Sequence, residues 1–373
     1  MSLFQSFRSL RRRLRRPPQP LVHAFSSPGA DKATTCAESD FRPVLGRFVV
    51  PGPHNPRTLN AALRNDPDET APTVFDPALK HFQNGYRPGD PAFAADETGG
   101  RWHAVRRGVM AHLLRGIAAD TTLRDRLVLR GGVLMHTWFG DRAREPHDLD
   151  FTVAPNTLAP DDPAAKALLR ALVRLGKDHP AAGGATIRGN LIATDSIWTY
   201  ERAEGRRILY PWTAPGLPPG SVQIDVVFRE PAAPPTEPTD VRLPDGTPAS
   251  LLAASRSQSL AWKLMWLYGD SYPQAKDLYD AVLLAESTEL AFDLLAVTLA
   301  TSPDADDYGP TPLPVSRPLA GPLEWGDLAA SHPDPAATAA AWAARLHAAL
   351  APTFAAHHLE PTVPTTTADA RPT

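Results

Sequence analysis

The chain has 373 residues, of which 43% are hydrophobic, and a formal net charge of −3. A chain of this length can bury a sizeable core and is expected to form two or three domains. The charge argues against a uniformly basic nucleic-acid-binding surface. No apolar run of about eighteen residues is present to span a membrane. We therefore expect a soluble, cytoplasmic protein.

Cysteine and proline usage narrow the chemistry further. Cys36 is the only cysteine, so the chain cannot form an internal disulfide or build a thiolate zinc site from it alone. Any metal would be bound by carboxylates and histidines, which favours a hard cation. Proline accounts for 41 residues, about twice the usual share. We attribute this excess to the base composition of the coding sequence rather than to function.

Both ends of the chain are predicted to lie outside the folded part. Residues 1–42 contain the basic run "RSLRRRLRR" followed by serine, proline and alanine, and are predicted to be a disordered tail without chemistry. Residues 43–100 are rich in turn-forming residues and are predicted to wrap a later domain. Residues 356–373 are predicted to be a second disordered tail.

The first strongly patterned part of the chain predicts a helix, a strand, a glycine turn, a second helix and a second strand. The first helix covers residues 102–118. Its apolar stripe consists of Val105, Val109, Leu113 and Ile117. "RLVLR" is the first predicted strand, Gly131 and Gly132 open a helix that ends near Phe139, and "DLDFTV" is the second strand.

The second half predicts a further strand and a helical lobe. Apolar residues alternate in "SVQIDVVFRE", which directs Asp225 to the opposite face. Residues 231–250 are predicted to connect two lobes, with one short edge strand at "DVRL". The helices "LLAASRSQSLAWKLMWLYG" and "QAKDLYDAVLLAE" follow. These patterns predict a catalytic domain at 101–245 and a helical C-terminal lobe at 246–355.

Asp148 and Asp150 are two residues apart in the predicted strand, so both carboxylates project from one face. Two like charges this close repel unless a cation lies between them, and oxygen ligands favour Mg²⁺, or Mn²⁺ in its place. Asp225 on a separate strand can complete a set of three carboxylates for phosphoryl or nucleotidyl transfer. The structural alternative is an edge strand with two solvated acids.

Two further features can be interpreted from the residues alone. Gly131 and Gly132 let backbone N–H groups at a helix start approach a polyphosphate, although a plain tight turn needs the same residues. Lys263 lies on the apolar stripe of a helix that is hydrophobic almost all round. A buried lysine is costly without an anionic partner, and a phosphate or a catalytic carboxylate would supply one.

In their order, these features resemble the AbiE-type (AbiEii/AbiGii) nucleotidyltransferase toxins of abortive-infection and type IV toxin–antitoxin systems. The shared order is a strand, the glycine pair, a helix, an arginine four residues before the first aspartate, and "DLDF". Lys263 on a later helix is then followed by "KDLYD" at residues 276–280. The resemblance covers about residues 100–290.

The resemblance implies an α+β fold, in which a nucleotidyltransferase domain with a mixed β-sheet is followed by a helical C-terminal lobe. It implies an enzyme that transfers a nucleoside monophosphate from an NTP to an acceptor. The implied metal ligands are Asp148, Asp150 and Asp225, and the implied catalytic residues are these three and Lys263. The implied nucleotide-binding residues are Gly131, Gly132, Arg144, Lys263, Lys276 and Asp277.

The resemblance also implies an RNA acceptor, with the tRNA 3′ end as its target, and a cognate antitoxin as partner. A protein or small-molecule acceptor would use the same metal chemistry. The chain departs from the family at Pro146, which is followed by His147 and replaces a serine or threonine two residues before Asp148. This departure motivates a catalytically inactive nucleotide- or partner-binding module as the alternative. A phosphohydrolase is a third interpretation of the same carboxylates.

Overall fold

The computed structural model describes residues 55–63, 73–82, 84–93, 95–199, 203–230, 236–270, 273–301, 323–325, 328, 332 and 334–355. The two tails predicted at 1–42 and 356–373 lie outside the described residues.

The strands of the described residues form a small hairpin and one large sheet. Their bounds are β1 (Thr73–Phe75), β2 (Tyr86–Pro88), β3 (Leu127–Arg130), β4 (Asp148–Val153), β5 (Ala181–Ala182), β6 (Ala185–Ile187), β7 (Ala193–Thr199), β8 (Ala203–Thr213), β9 (Gly220–Val227), β10 (Thr236–Arg242) and β11 (Pro248–Ala254). The large sheet has the order β10-β11-β3-β4-β9-β8-β6-β5, and β7 pairs with β8 as well. β3 is parallel to β11 and β4 is parallel to β9, whereas the other neighbours are antiparallel.

The α-helices of the described residues are α1 (Arg57–Leu63), α2 (Asp96–Ala119), α3 (Thr121–Arg124), α4 (Gly132–Phe139), α5 (Pro163–Asp178), α6 (Arg256–Gly269), α7 (Ala275–Ala285), α8 (Phe292–Leu299) and α9 (Pro335–Ala355). Short 3-10 helices cover Pro77–Leu79, Gly140–Arg142 and Gly189–Leu191. Helix α7 packs against α6 and α9, and α6 packs against α8. The predicted combination of a mixed sheet and a helical C-terminal lobe is confirmed. None of the described helices combines the length and apolarity that crossing a membrane requires.

Alternation along the central strands separates an apolar face of the sheet from a charged one. The buried apolar residues of β4 and β9 are Leu149, Phe151, Val153, Val222, Ile224 and Val226. They belong to the hydrophobic core, to which α2 and α5 also contribute. Because successive side chains of a strand point to opposite faces, Asp148, Asp150 and Asp225 lie on the other face. The apolar pattern therefore places all three carboxylates together.

The region before α6 differs from the prediction. The helix predicted to begin at Leu251 begins at Arg256, because Leu251 to Ala254 belong to β11, which pairs with β3. Ser255 caps the helix, since its hydroxyl accepts a hydrogen bond from the Gln258 N–H at 3.2 Å. A short apolar run does not distinguish a buried strand from a helix by periodicity alone.

The predicted connection at 231–250 is also corrected. β10 and β11 form an antiparallel hairpin at one edge of the sheet, so the edge strand predicted at "DVRL" begins earlier, at Thr236. Half of the segment is therefore sheet rather than linker. The predicted boundary between the catalytic domain and the helical lobe, at residues 245 and 246, falls in the turn of this hairpin. The division into these two domains stays a prediction.

The segment before α2 packs against the sheet. Helix α1 contacts β7, β8 and β2. The carboxylate of Asp195 in β7 caps α1, because it accepts hydrogen bonds from the Arg57 and Thr58 N–H groups at 3.1 and 2.8 Å. A charged side chain of the sheet thus fixes an element that lies more than a hundred residues earlier in the chain.

Gly183 and Gly184 offer a matched test of close packing between α2 and the β5–β6 turn. Both have positive φ angles, of 56° and 87°. A Cβ on Gly183 would lie 2.5 Å from the Gly108 Cα, whereas one on Gly184 would meet no atom within 4 Å. We expect Gly183→Ala to lower the free energy of unfolding by about 2 kcal/mol more than Gly184→Ala, since only the former forces the backbones apart. Denaturant unfolding measures both, and equal losses would contradict this packing.

Candidate active site

Four charged residues form a row across four neighbouring strands on the polar face of the sheet. Arg207 in β8 is paired with Asp225 in β9, Asp225 with Asp150 in β4, and Asp150 with Arg130 in β3. Two carboxylates therefore lie side by side, and each is flanked by an arginine. These four residues are called the charged row below.

At one end of the row, Arg207 fixes the carboxylate of Asp225. Its Nε and Nη2 donate to the two oxygens of Asp225, each at 2.8 Å, and its Nη1 donates to Asp76 at 2.6 Å. Burial acts to lower the pKa of Arg207, but Asp225 and Asp76 hold it well above the ordinary value. Burial raises the pKa of Asp225, although Arg207 opposes the rise. The bidentate fork thus fixes the orientation of this aspartate.

At the other end, Arg130 joins the sheet to helix α6. Its Nη1 donates to the Glu230 carboxylate at 3.1 Å, and both side chains are buried. The guanidinium carbon lies 5.4 Å from the ring centroids of both Trp262 and Trp266. Cation–π contacts with two tryptophans hold an arginine firmly once it is desolvated. Arg130 therefore links the charged row to the first helix of the C-terminal lobe.

Asp150 lies against the glycine turn that opens α4. Gly131 has a φ of 79°, and a Cβ built on it would overlap Oδ2 of Asp150. Among the described residues, none forms a hydrogen bond or an ion pair with the Asp150 carboxylate. Burial raises the pKa of Asp150 to about 7, and the charges of Asp148 and Asp225 add to the rise. Arg130 and Lys276 oppose the rise without cancelling it, so the charge of Asp150 is compensated only in part.

Asp148 has a different electrostatic environment. Burial acts to raise its pKa, but Lys276, Arg144 and His147 outweigh burial and hold the pKa below the ordinary aspartate value. Gln223 Nε2 also donates to its carboxylate at 3.4 Å. Lys276 has the largest effect of these cations, so α7 of the C-terminal lobe contributes a positive charge to the paired aspartates.

A second ionic cluster connects the sheet domain to α6 and α7. Lys263 Nζ lies 2.6 Å from Asp277 Oδ1 and 2.9 Å from Asp280 Oδ2, and the guanidinium of Arg144 lies 3.3 Å from the same Asp280 oxygen. Burial acts to lower the pKa of Lys263, but the two aspartates hold it above the ordinary lysine value. Arg144, Lys263, Asp277 and Asp280 are called the interlobe cluster below.

The structure brings most of the predicted site residues together but divides them into two groups. Asp148, Asp150, Asp225 and Gly131 meet at the charged row. Arg144 lies beside the glycine turn: a Cβ built on Gly132 would be 3.4 Å from the Nη atoms of Arg144. Lys263 and Asp277 instead pair with each other, so the anionic partner that the buried lysine requires is a pair of carboxylates.

Sequence reasoning missed Arg207, Arg130 and Asp76. Arg207 lies in β8 opposite Asp225, and only the antiparallel register reveals the contact. Arg130 immediately precedes the glycine pair and shares a face with Asp150. Arg130 could have been found by pairing the two strands predicted on either side of the glycine turn, whereas Arg207 could not, because no strand was predicted at Ala203–Thr213. Asp76 lies 131 residues before Arg207, and no local signal indicates their contact.

The candidate ligands for a divalent cation are the carboxylates of Asp148, Asp150 and Asp225, which lie on the polar face of the sheet. Among the described residues, no group of three His, Cys, Asp or Glu side chains is arranged closely enough to hold a metal as the side chains stand. Asp148 and Asp150 still fit a hard cation, because Asp150 has no cationic partner among the described residues and both ligands are carboxylates. Asp225 fits less directly, since Arg207 occupies one hydrogen-bonding position on each of its oxygens.

The mixed sheet, the paired aspartates and the helix-opening glycines fit the class of protein that the family match shows, a nucleotidyltransferase. The chain belongs to the AbiEii nucleotidyl transferase toxin family of type IV toxin–antitoxin systems, which matches residues 112–367. The predicted family and enzyme class are confirmed. This membership implies an NTP substrate and an antitoxin partner.

One solved structure that resembles the chain is MenT4, a nucleotidyltransferase toxin from Mycobacterium tuberculosis H37Rv. The two sequences are 22% identical, and the TM-score is 0.46. The alignment covers 68% of this chain and 86% of MenT4. No match was found among curated proteins.

The interlobe cluster predicts a measurable contribution to stability. Burial acts to raise the pKa of Asp280, but Arg144 and Lys263 outweigh it and hold the pKa below the ordinary value. We expect Asp280→Asn to lower the free energy of unfolding at neutral pH by about 3 kcal/mol, because two buried cations lose a shared counter-charge. The matched control is Asp240→Asn on exposed β10, which should change little.

The pH dependence provides a second readout of the same substitution. A carboxylate whose pKa is lower in the folded protein stabilises fully above its unfolded pKa, and the stabilisation is lost as the pH falls through the folded value. Stability should therefore fall less steeply with acidification in Asp280→Asn than in the wild type. Denaturant unfolding at several acidic pH values measures this slope, and parallel curves would show that Asp280 does not act through its charge.

Proposed function

We propose that the protein transfers a nucleoside monophosphate from an NTP to the 3′ end of an RNA, with tRNA as the acceptor and Mg²⁺ as the cofactor. Membership of a toxin family of nucleotidyltransferases supports the transfer reaction. The observation that carries the proposal is Asp150, which lies between Asp148, Asp225 and the glycine turn without a cationic partner among the described residues. A divalent cation would compensate the excess negative charge of these carboxylates, and phosphate oxygens of the nucleotide would complete its coordination.

Asp148 and Asp150 would hold the metal. When bound, Mg²⁺ would neutralise phosphate charge and stabilise the attacking and leaving oxygens of an in-line displacement. Mn²⁺ has the same preference for oxygen ligands and would substitute. Asp225 would complete the site through the lone pairs that Arg207 leaves available, because a carboxylate has about four acceptor positions. Arg207 favours the ionised form of this aspartate, in opposition to burial, and fixes the direction of its carboxylate.

The triphosphate would bind between the glycine turn and α7. Gly131 and Gly132 form the start of α4, where first-turn N–H groups have no partner within the helix and the helix dipole favours an anion. Lys276 on α7 is the cation with the largest effect on the pKa of Asp148. Arg144 lies beside the turn as well. Positive charge thus surrounds the position at which the phosphates would meet the paired aspartates.

Lys263 and Asp277 would act through the interlobe cluster. Both were predicted to contact the nucleotide, and Lys263 was also predicted to be catalytic. Their mutual ion pair of 2.6 Å supports a positioning role, because Asp277 directly follows Lys276 on α7. The cluster would hold Lys276 and Arg144 in place around the phosphates.

A catalytically inactive module is the alternative, and Pro146 is the observation that favours it. A proline replaces the hydroxyl residue of the family and packs against the glycine turn, 3.4 Å from the position of a Cβ on Gly132. A proline can donate no hydrogen bond to a phosphate. Such a module would bind an NTP without transferring it.

A labelling experiment separates these functions. Each α-labelled NTP is incubated with the protein, Mg²⁺ and total RNA, and label is measured in the RNA and protein fractions. We expect label in tRNA. Asp148→Ala and Asp150→Ala should each reduce transfer by at least about a hundredfold, since a metal ion contributes several kcal/mol to such reactions. Asp240→Ala on exposed β10 serves as the matched control.

The other outcomes assign other functions. Bound nucleotide without label in any fraction would establish the inactive module. Label in the protein fraction alone would replace RNA by a protein acceptor, and phosphate release without labelling would indicate a phosphohydrolase. Transfer that survives both aspartate substitutions would place the metal site elsewhere.

A further inference from the structure

The β1–β2 hairpin is an element that the family match does not include. The match begins at residue 112, whereas the hairpin comprises β1, β2 and the described residues between them. Asp76 follows β1 directly and accepts a hydrogen bond from Arg207 at 2.6 Å, while Arg207 also holds Asp225. Asp76, at the end of β1, therefore contacts the charged row directly through Arg207.

One face of the hairpin is directed toward the site. Val74 and Arg87 are cross-strand partners on this face. Arg87 Nε lies 3.7 Å from Asp76 Oδ2, and its side chain is 30% exposed. Its charge contributes to the lowered pKa of Asp148. The hairpin thus brings a partly exposed cation close to the paired aspartates.

The other face presents two aromatic side chains to solvent. Phe75 and Tyr86 are cross-strand partners, and their rings form an edge-to-face pair with centroids 6.1 Å apart. Phe75 is 46% exposed and Tyr86 is 39% exposed. Three large hydrophobic side chains are exposed among the described residues. Two are these aromatic residues, and the third is Val297 on α8. The two rings therefore form an exposed aromatic pair on the hairpin that Asp76 links to Arg207.

We propose that this hairpin binds the unpaired 3′ end of the RNA acceptor, with Phe75 and Tyr86 stacking on bases and Arg87 pairing with a phosphate. The inference rests on the proposed function. Aromatic rings next to arginine are the chemistry that recognises single-stranded nucleic acid, because every base has a face that can stack. The anchor at Asp76 keeps such a strand within reach of Asp148 and Asp150.

Charge complementarity favours RNA over an apolar protein partner at this surface. Arg57 on α1, the helix that contacts β2, has a side chain that is 78% exposed, although its Nε lies 3.8 Å from Oδ1 of the buried Asp195. Arg87 adds a second cation, while the carboxylate of Asp76 is already bound to Arg207. A surface with two arginines and two aromatic rings suits a phosphate backbone with splayed bases.

The test compares acceptor use with nucleotide use in the full-length protein. The principal variant is Phe75→Leu with Tyr86→Leu, which removes the rings but retains apolar bulk. Phe75→Tyr with Tyr86→Phe retains both rings, and Val297→Ala is the control at an exposed apolar position elsewhere. Labelled transfer to tRNA gives the KM for RNA and the KM for NTP. Fluorescence anisotropy with a single-stranded RNA of about twelve nucleotides gives direct binding.

The leucine variant should raise the KM for RNA about tenfold or more, since stacking contributes strongly for each base, and should leave the KM for NTP unchanged. The ring-retaining variant and Val297→Ala should match the wild type. Arg87→Gln should weaken RNA binding and reduce its salt dependence by about one unit of logarithmic slope.

The failures are distinguishable. If the wild type labels no RNA, the proposed function fails and the hairpin inference fails with it. If the wild type labels RNA and the leucine variant keeps the same KM for RNA, only the hairpin inference is overturned. Equal losses for RNA and NTP would also overturn it, since they would show that the rings only support the fold. Unchanged RNA use with altered self-association or antitoxin binding would reassign the surface to a protein partner.

Discussion

The fork between Arg207 and Asp225 is the interaction on which the site depends. Asp225 lies beside Asp150 on neighbouring strands, and Asp148 lies two residues from Asp150 on the same strand. Three carboxylates on one face repel one another, and burial increases the free-energy cost of their charges. Arg207 compensates one of them through two hydrogen bonds of 2.8 Å and is itself held by Asp76. The remaining charge is concentrated on Asp148 and Asp150.

The parts of the chain meet around this charge. Arg130 binds Glu230 and lies against Trp262 and Trp266, which joins β3 to the first helix of the C-terminal lobe. The interlobe cluster holds Arg144 beside the glycine turn, and α7 brings Lys276 to Asp148. Cations from separate elements thus converge on the paired aspartates. The carboxylates come from the sheet, whereas Lys276 comes from the helical lobe. The charge of the site therefore depends on both parts.

Local pattern predicted β3, β4, β9 and part of β10, the glycine-opened helix and the common face of the aspartates, because alternation and turn chemistry act over a few residues. The resemblance supplied the enzyme class. Contacts that depend on strand register, such as Arg207 with Asp225, could not be predicted without knowing which strands pair. The run from Leu251 to Ala254 was assigned to a helix because an apolar segment fits either element. The requirement of Lys263 for an anion was predictable, but the identity of that anion was not.

The central claim is that the protein's own cations leave the charge of Asp150 only partly compensated and that Mg²⁺ compensates the rest. The most direct test is the thermal unfolding midpoint with and without Mg²⁺, for the wild type, Asp150→Asn and the exposed control Asp240→Asn. A ligand that binds only the folded state raises the midpoint, so Mg²⁺ should stabilise the wild type and the control but not Asp150→Asn. Without metal, Asp150→Asn should be at least as stable as the wild type, because it relieves repulsion. Equal Mg²⁺ stabilisation of all three proteins would contradict the account.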